Sequence, residues 1–289
     1  MIQVELPADV PIFEDLIVYA DNLARRGESV RIIGGVAMTL WGLALARPRG
    51  VATNDIDAVV PSGAAADSDS ARTFARNVHA ATAAAGYALP ADPKPAERFA
   101  FIRDSDYGEA GRRKIEMIVG RTTIGRTSKR PPPVRHLVED DHGLRLSAAV
   151  NPWLELVPEP WTTVEIRHVD GRCRLEIPGC IGLYILKLRA VRDKQQRVAE
   201  EKDPTRKKFE ITRLSRHLDD LALTRSWIAL RNESDALRRA TAVNEQVPLA
   251  AAAAERWFLE TVAVDAKAVL DGAPRVGSGR SRLEDLFAP

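Results

Sequence analysis

The chain has 289 residues, 45% hydrophobic and 28% charged, with a formal net charge of +2. That length allows one large domain or two of ordinary size, and the composition is that of a soluble globular protein. No stretch approaches the roughly 18–20 uninterrupted apolar residues of a membrane span, and Met1–Pro11, which carries Glu5 and Asp9, lacks the basic n-region of a secretory signal. Cys173 and Cys180 make neither a disulfide framework nor a metal knuckle. The expectation is a reduced, cytoplasmic protein with no membrane partner.

In chain order, Pro11–Arg26 has the apolar period of a helix, Ser29–Ile33 reads as a short strand and Val36–Leu45 as the helix after it. Asp57–Val60 is the next strand, Pro61–Asp69 a loop of small residues, and Ser70–Ala85 an alanine-rich helix stopped by Gly86. Glu97–Asp104 and Arg113–Val119 read as strands, followed by a basic, proline-bearing connection over Gly120–His136. Trp153–Val157, Thr162–Val169 and Arg172–Ile177 complete the strands, the last two joined by an Asp170-Gly171 turn. Beyond Pro178-Gly179 the pattern is helical: Cys180–Arg197, Thr205–Leu223, Ser226–Ala240 and Leu249–Leu270. The expected organisation is an α+β catalytic domain over 1–178, a helical domain over 179–272 and a loose tail over 273–289.

Charge is unevenly spread. Arg112 to Arg135 holds eight Lys or Arg against one acid, and Lys187 to Lys208 holds nine against four. Such runs make an electrostatic footprint for phosphates or RNA, or else they are solvated faces.

Gly34-Gly35 closes the apolar stretch Val30–Ile33 and opens a helix, so its backbone amides can meet a phosphate with no side chain in the way, or it is simply a tight turn. Thr53-Asn54-Asp55-Ile56-Asp57 follows. Strand residues alternate faces, which puts Asp55 and Asp57 on one side with Ile56 turned to the core. Two like charges so placed gain nothing by proximity unless a cation lies between them, and Mg²⁺ suits hard carboxylate oxygens together with phosphate oxygens. Two-metal phosphoryl chemistry needs a third carboxylate. Glu116, mid-strand with Ile115, Met117 and Val119 on the opposite face, is the candidate; an ion pair with Lys114 is its plainer role. Lys187, whose neighbours three and four residues away are Leu183, Tyr184, Ala190 and Val191, either snorkels outward or points into a site. Glu210, among Arg206, Lys207 and Arg213, reads as a helix salt bridge. The five histidines show no ligand spacing.

Together these residues resemble the nucleotidyltransferase superfamily of polymerase-β type, and Gly34-Gly35-Val36-Ala37 is most similar to the AbiEii-type toxin nucleotidyltransferases. Lys187 and then Lys207-Lys208-Phe209-Glu210 stand in the family's order, and the resemblance spans roughly residues 30–215. It implies a nucleotidyltransferase-like mixed sheet with flanking helices followed by a helical domain. It also implies Mg²⁺-dependent transfer of a nucleoside monophosphate from an NTP to a hydroxyl, with Asp55, Asp57 and Glu116 at the metal and Gly34, Gly35, Thr53 and Lys187 at the nucleotide. An RNA acceptor, such as the 3′ end of tRNA, and an antitoxin protein are the implied partners. Three positions depart from the family's pattern: Val51 where it has arginine (with Arg47 or Arg49 as substitutes), and Glu116 and Glu210 where it has aspartate. A scaffold with degraded chemistry that binds RNA or protein is therefore the alternative. A haloacid-dehalogenase-type phosphatase is a third choice, disfavoured because the apolar residues follow the acids rather than precede them.

Overall fold

In a computed structural model, runs of alternating apolar residues form nine strands among the described residues: β1 (Ile2–Glu5), β2 (Arg31–Ile33), β3 (Asp55–Val59), β4 (Ala100–Arg103), β5 (Arg113–Val119), β6 (Val134–Glu139), β7 (Arg145–Val150), β8 (Thr162–His168) and β9 (Gly171–Ile177). Between and after them lie α1 (Pro11–Ala24), α2 (Gly34–Ala44), α3 (Ser68–Ala84), α4 (Cys180–Glu200), α5 (Pro204–Leu230) and α6 (Ser234–Ala242). The residues described are 1–8, 10–46, 53–65, 67–93, 97–104, 111–120, 134–140, 143–169, 171–242 and 247–252. Among them no helix is long and apolar enough to cross a membrane.

The strands make one mixed sheet in the order β1-β8-β9-β2-β3-β5-β7-β6, with β4 alongside β5. β3 lies between β2, which runs antiparallel to it, and β5, which runs parallel. β5 shares its far edge between β4, paired along its first half, and β7, paired at Ile118 and Val119. On one face of these central strands Ile32, Ile56, Ile115 and Met117 are fully buried. α1 packs against α3 and against β9, β3 and β8. It is also fastened by a polar hub. Buried Asp15 accepts from Tyr87 Oη at 2.5 Å and from Arg103 Nη1 at 2.6 Å, and lies 2.7 Å from Arg113 Nη1. Burial pushes the Asp15 carboxyl above the usual carboxylate range, and the Tyr87 hydrogen bond and the two guanidiniums pull it back.

The chain divides into two compact units, Met1–Glu155 with Glu159–Gly179, and Leu156–Pro158 with the residues from Cys180 onward. In the second, α4 and α5 pack along each other and α6 packs on both. α5 starts where Asp203 accepts a hydrogen bond from Arg206 N and Pro204 fixes the first turn. α3 starts in the same way at Asp67, which accepts from the Asp69 and Ser70 amides.

Several elements differ from expectation. Trp153–Val157 has a strand-like alternation, yet Pro152–Leu156 is a 3₁₀ turn, because Asn151 holds Trp153 N with its side chain and Leu154 N with its carbonyl. β1, β6 and β7 were not expected as strands; β1 is four residues long and gains its ladder only by pairing with β8 far along the chain. α5 runs unbroken through Thr224, where a helix boundary was expected, since the Thr224 hydroxyl donates to the Asp220 and Leu221 carbonyls and is fully buried. β3 begins at Asp55 rather than Asp57. Residues 121–133, Asp170, most of the helix expected over Leu249–Leu270 and the tail from 273 lie outside the described residues. Both cysteines are buried free thiols, and burial pushes each up to about 12.

Candidate active site

The register of three strands assembles the site residue by residue. Ile33 at the end of β2 stands opposite Asp57, Asp57 stands opposite Glu116 of β5, and Asp55 stands opposite Lys114. Partners across a ladder share a face, so Asp55, Asp57, Lys114 and Glu116 form one polar patch on the central strands. The burial pattern agrees: Asp55 and Asp57 are half-buried and flank Ile56, which is fully buried, and Glu116 is half-buried between Ile115 and Met117.

The glycine pair is required by what sits against it. Gly34 has φ +73°, in the left-handed region, and a Cβ there would lie 1.8 Å from Asp57 Oδ2 and 2.8 Å from its Cγ. A Cβ on Gly35 would lie 2.8 Å from Thr53 Cβ. The turn, Asp57 and Thr53 therefore close on each other with no room for a side chain. Gly34 is also the first residue of α2, whose cap residue Ile33 has no polar side chain to offer the first turn. Asp57 places its carboxylate at that end, where the helix dipole favours negative charge. Thr53 Oγ1 lies 3.2 Å from both Asp55 N and Asp55 O, a local turn that braces the entry to β3.

Two anchors that the sequence did not reveal hold this turn. Trp41 of α2 is buried and donates from Nε1 to the Pro178 carbonyl at 2.8 Å, tying the helix after the glycines to the end of β9. Arg31 of β2 donates to Glu176 of β9 at 2.8 Å and lies over the Trp161 ring at 4.9 Å. Neither carries a local signal, since their partners lie more than a hundred residues away in sequence.

As a metal donor set, Asp55 and Asp57 suit a hard cation that keeps several waters and takes phosphate oxygens, for which one or two carboxylates suffice. Among the described residues, however, no group of three or more His, Cys, Asp or Glu side chains could hold a metal ion. Glu116 thus shares the face and the register of Asp57 without completing a three-carboxylate set.

Lys187 belongs to the second compact unit, and it does not snorkel. It is 6% exposed, and Nζ donates at 2.6 Å to Asp220 of α5, itself 3% exposed. The signal for Asp220 was legible in retrospect: it is an acid in the helical stripe of Thr224 and Trp227, both fully buried. Glu210 accepts from Lys194 Nζ at 2.6 Å, so it is indeed in a salt bridge, though across to α4 rather than along its own helix. Its carboxyl is held below the usual range: burial opposes this, and the Lys194 hydrogen bond and the charges of Lys194, Arg213 and Arg197 outweigh it. Val51, Arg47 and Arg49 lie outside the described residues.

No protein-family model matches the chain, and no curated protein or solved structure matches it significantly. What the structure defines is a mixed α/β protein with a glycine turn locked onto a strand aspartate.

Proposed function

We propose that the protein is a nucleotidyltransferase that moves a nucleoside monophosphate from an NTP to a hydroxyl group, with RNA as the acceptor. The observation that carries this reading is the fit of Gly34 and Gly35 against Asp57 and Thr53, on the face that Asp55 and Glu116 share. Gly34 and Gly35 present backbone at the start of α2, where the triphosphate would bind without a side chain in its path. Asp55 and Asp57 would hold Mg²⁺, which when bound supplies charge neutralisation on the phosphates and orients the α-phosphorus for in-line attack. Glu116 takes the proton of the attacking hydroxyl, directly or through water. The oxygen–phosphorus bond to the acceptor forms, the bond to the β-phosphate oxygen breaks, and pyrophosphate leaves. Lys187 enters only through the resemblance, since Asp220 already engages its ammonium.

The resemblance to AbiEii-type toxins extends the proposal to a toxin whose partner is an antitoxin protein, with the tRNA 3′ end as the favoured acceptor. Against a phosphatase stands the placement of both acids at the start of β3 rather than at its C-terminal end. A second reading has its own support: Asp57 lies against the first residue of α2, which suits a scaffold whose acids are structural and whose task is binding.

The test is transfer of label from each of the four α-labelled NTPs to total RNA in the presence of Mg²⁺. We expect incorporation that falls at least 100-fold in Asp57→Asn. Absence of incorporation with all four NTPs, together with absence of Mg²⁺-dependent NTP binding, sinks the catalytic reading and leaves the binding scaffold.

A further inference from the structure

The basic run from Lys187 to Lys208 proves to be two different things. Lys187 and Lys194 are buried and each is spent on a carboxylate of α5. Arg206, Lys207 and Lys208 are exposed, as are Arg213 and Arg216 further along α5. Residues 206, 209, 213 and 216 follow helical spacing, so Arg206, Phe209, Arg213 and Arg216 form one stripe about 15 Å long. Its centre is unusual for a water-facing helix. Phe209 is 59% exposed, and the Arg213 guanidinium lies over its ring at 5.6 Å. Beside it, Glu210 is one carboxylate among the charges of Lys194, Arg197 and Arg213, which leaves the neighbourhood with a positive excess.

We infer that this stripe of α5 is a binding surface for single-stranded RNA. Four arginine, lysine or aromatic positions on one face match the two demands of such a chain: cations for successive phosphates, and an exposed aromatic plane on which an unpaired base stacks. The stacked Arg213 pre-orders the Phe209 ring and offers a guanidinium plane to the next base. Phe209 leaves more than half of its surface to water on the free helix, and contact with a base would cover it. Duplex nucleic acid has its bases inside and would use the arginines alone. An acidic protein or an anionic membrane would likewise use the charges with no call for the aromatic–guanidinium pair. The surface is independent of the catalytic proposal, because no residue of the glycine turn or of β3 contributes to it.

The experiment is fluorescence anisotropy of a labelled 20-nucleotide uridine-rich RNA titrated with the full chain between 50 and 200 mM salt. The wild type should bind with a steep salt dependence. R206Q/R213Q/R216Q should weaken binding at least tenfold and flatten the log–log salt slope by about 2, at roughly 0.7 per lost phosphate contact on a single strand. Phe209→Ala should weaken binding about tenfold while leaving the slope unchanged. Arg→Lys at the same three positions should restore the slope, which separates charge from any damage to the fold. Asp57→Asn should bind as the wild type does, so loss of catalysis and loss of RNA binding are told apart. Unchanged binding in both the triple-Gln variant and Phe209→Ala overturns the inference. So does equal affinity for polyglutamate, for vesicles with anionic headgroups or for duplex RNA, or a failure of the wild type to bind the oligonucleotide.

Discussion

Gly34 is the residue at which sequence and geometry meet most tightly. Its positive φ alone would make any other residue strained, at a cost of about 1–3 kcal/mol. The close approach of Asp57 adds a second constraint, because a methyl group there has to move the carboxylate. Gly34→Ala should therefore lower stability by about 2 kcal/mol and displace Asp57 even where the chain still folds. Thermal melting would read the first effect and Mg²⁺-dependent NTP binding the second; an alanine variant that melts and binds as the wild type does would show that the contact can relax. The pairing of Gly34-Gly35 with Asp55 and Asp57 was legible in the sequence because both are local signals, a turn and an alternation. The opposition of Asp57 to Glu116 was not, since register between β3 and β5 is set by the whole ladder.

At the level of elements, α4 and α5 carry two lysine–carboxylate pairs across their packed faces. The inner one, Lys187 with Asp220, is almost fully withdrawn from water, so it adds little net stability compared with apolar packing, yet half of it alone is costly. Asp220→Ala should destabilise by about 3 kcal/mol, whereas Lys187→Met combined with Asp220→Leu should return to within about 1 kcal/mol of the wild type. Urea unfolding of Lys187→Met, Asp220→Leu and the double variant closes the cycle, and additive losses would show that the two groups do not interact. The helices themselves were legible from their apolar period, and α5 starts at Pro204, one residue before the Thr205 expected. Its passage through Thr224 was not, because the Thr224 hydroxyl folds back onto the Asp220 and Leu221 carbonyls, a bond inside the helix that no apolar period announces. The same limit explains Pro152–Leu156, where an Asn151 side chain rather than any periodicity decided the outcome.

For the molecule as a whole, every strand ladder among the described residues closes before Gly179: β1 with β8, β2 with β9, and β3 through β7 around β5. A fragment spanning residues 1–179 should consequently fold by itself, with dispersed amide resonances and a cooperative melt; a fragment that stays unfolded would mean that the sheet depends on the helices beyond it. Why the sequence alone understated this sheet is also clear. β6 and β7 carry Arg135, His136 and Arg145 among their apolar residues, and β1 is too short to announce itself without its distant partner. That distance has a further consequence in time. Arg31 on β2 reaches its ion-pair partner Glu176 across 145 residues, and β2 gains its second neighbour only when β9 has been made. While the ribosome is still translating the first half of the chain, the glycine turn and its aspartates exist, but the strand that carries the turn has only one side. Assembly of this site is thus deferred until β9 has left the exit tunnel, and slow, non-local folding is the kinetic signature to look for. An early-terminated product would carry the acids without the frame that aims them.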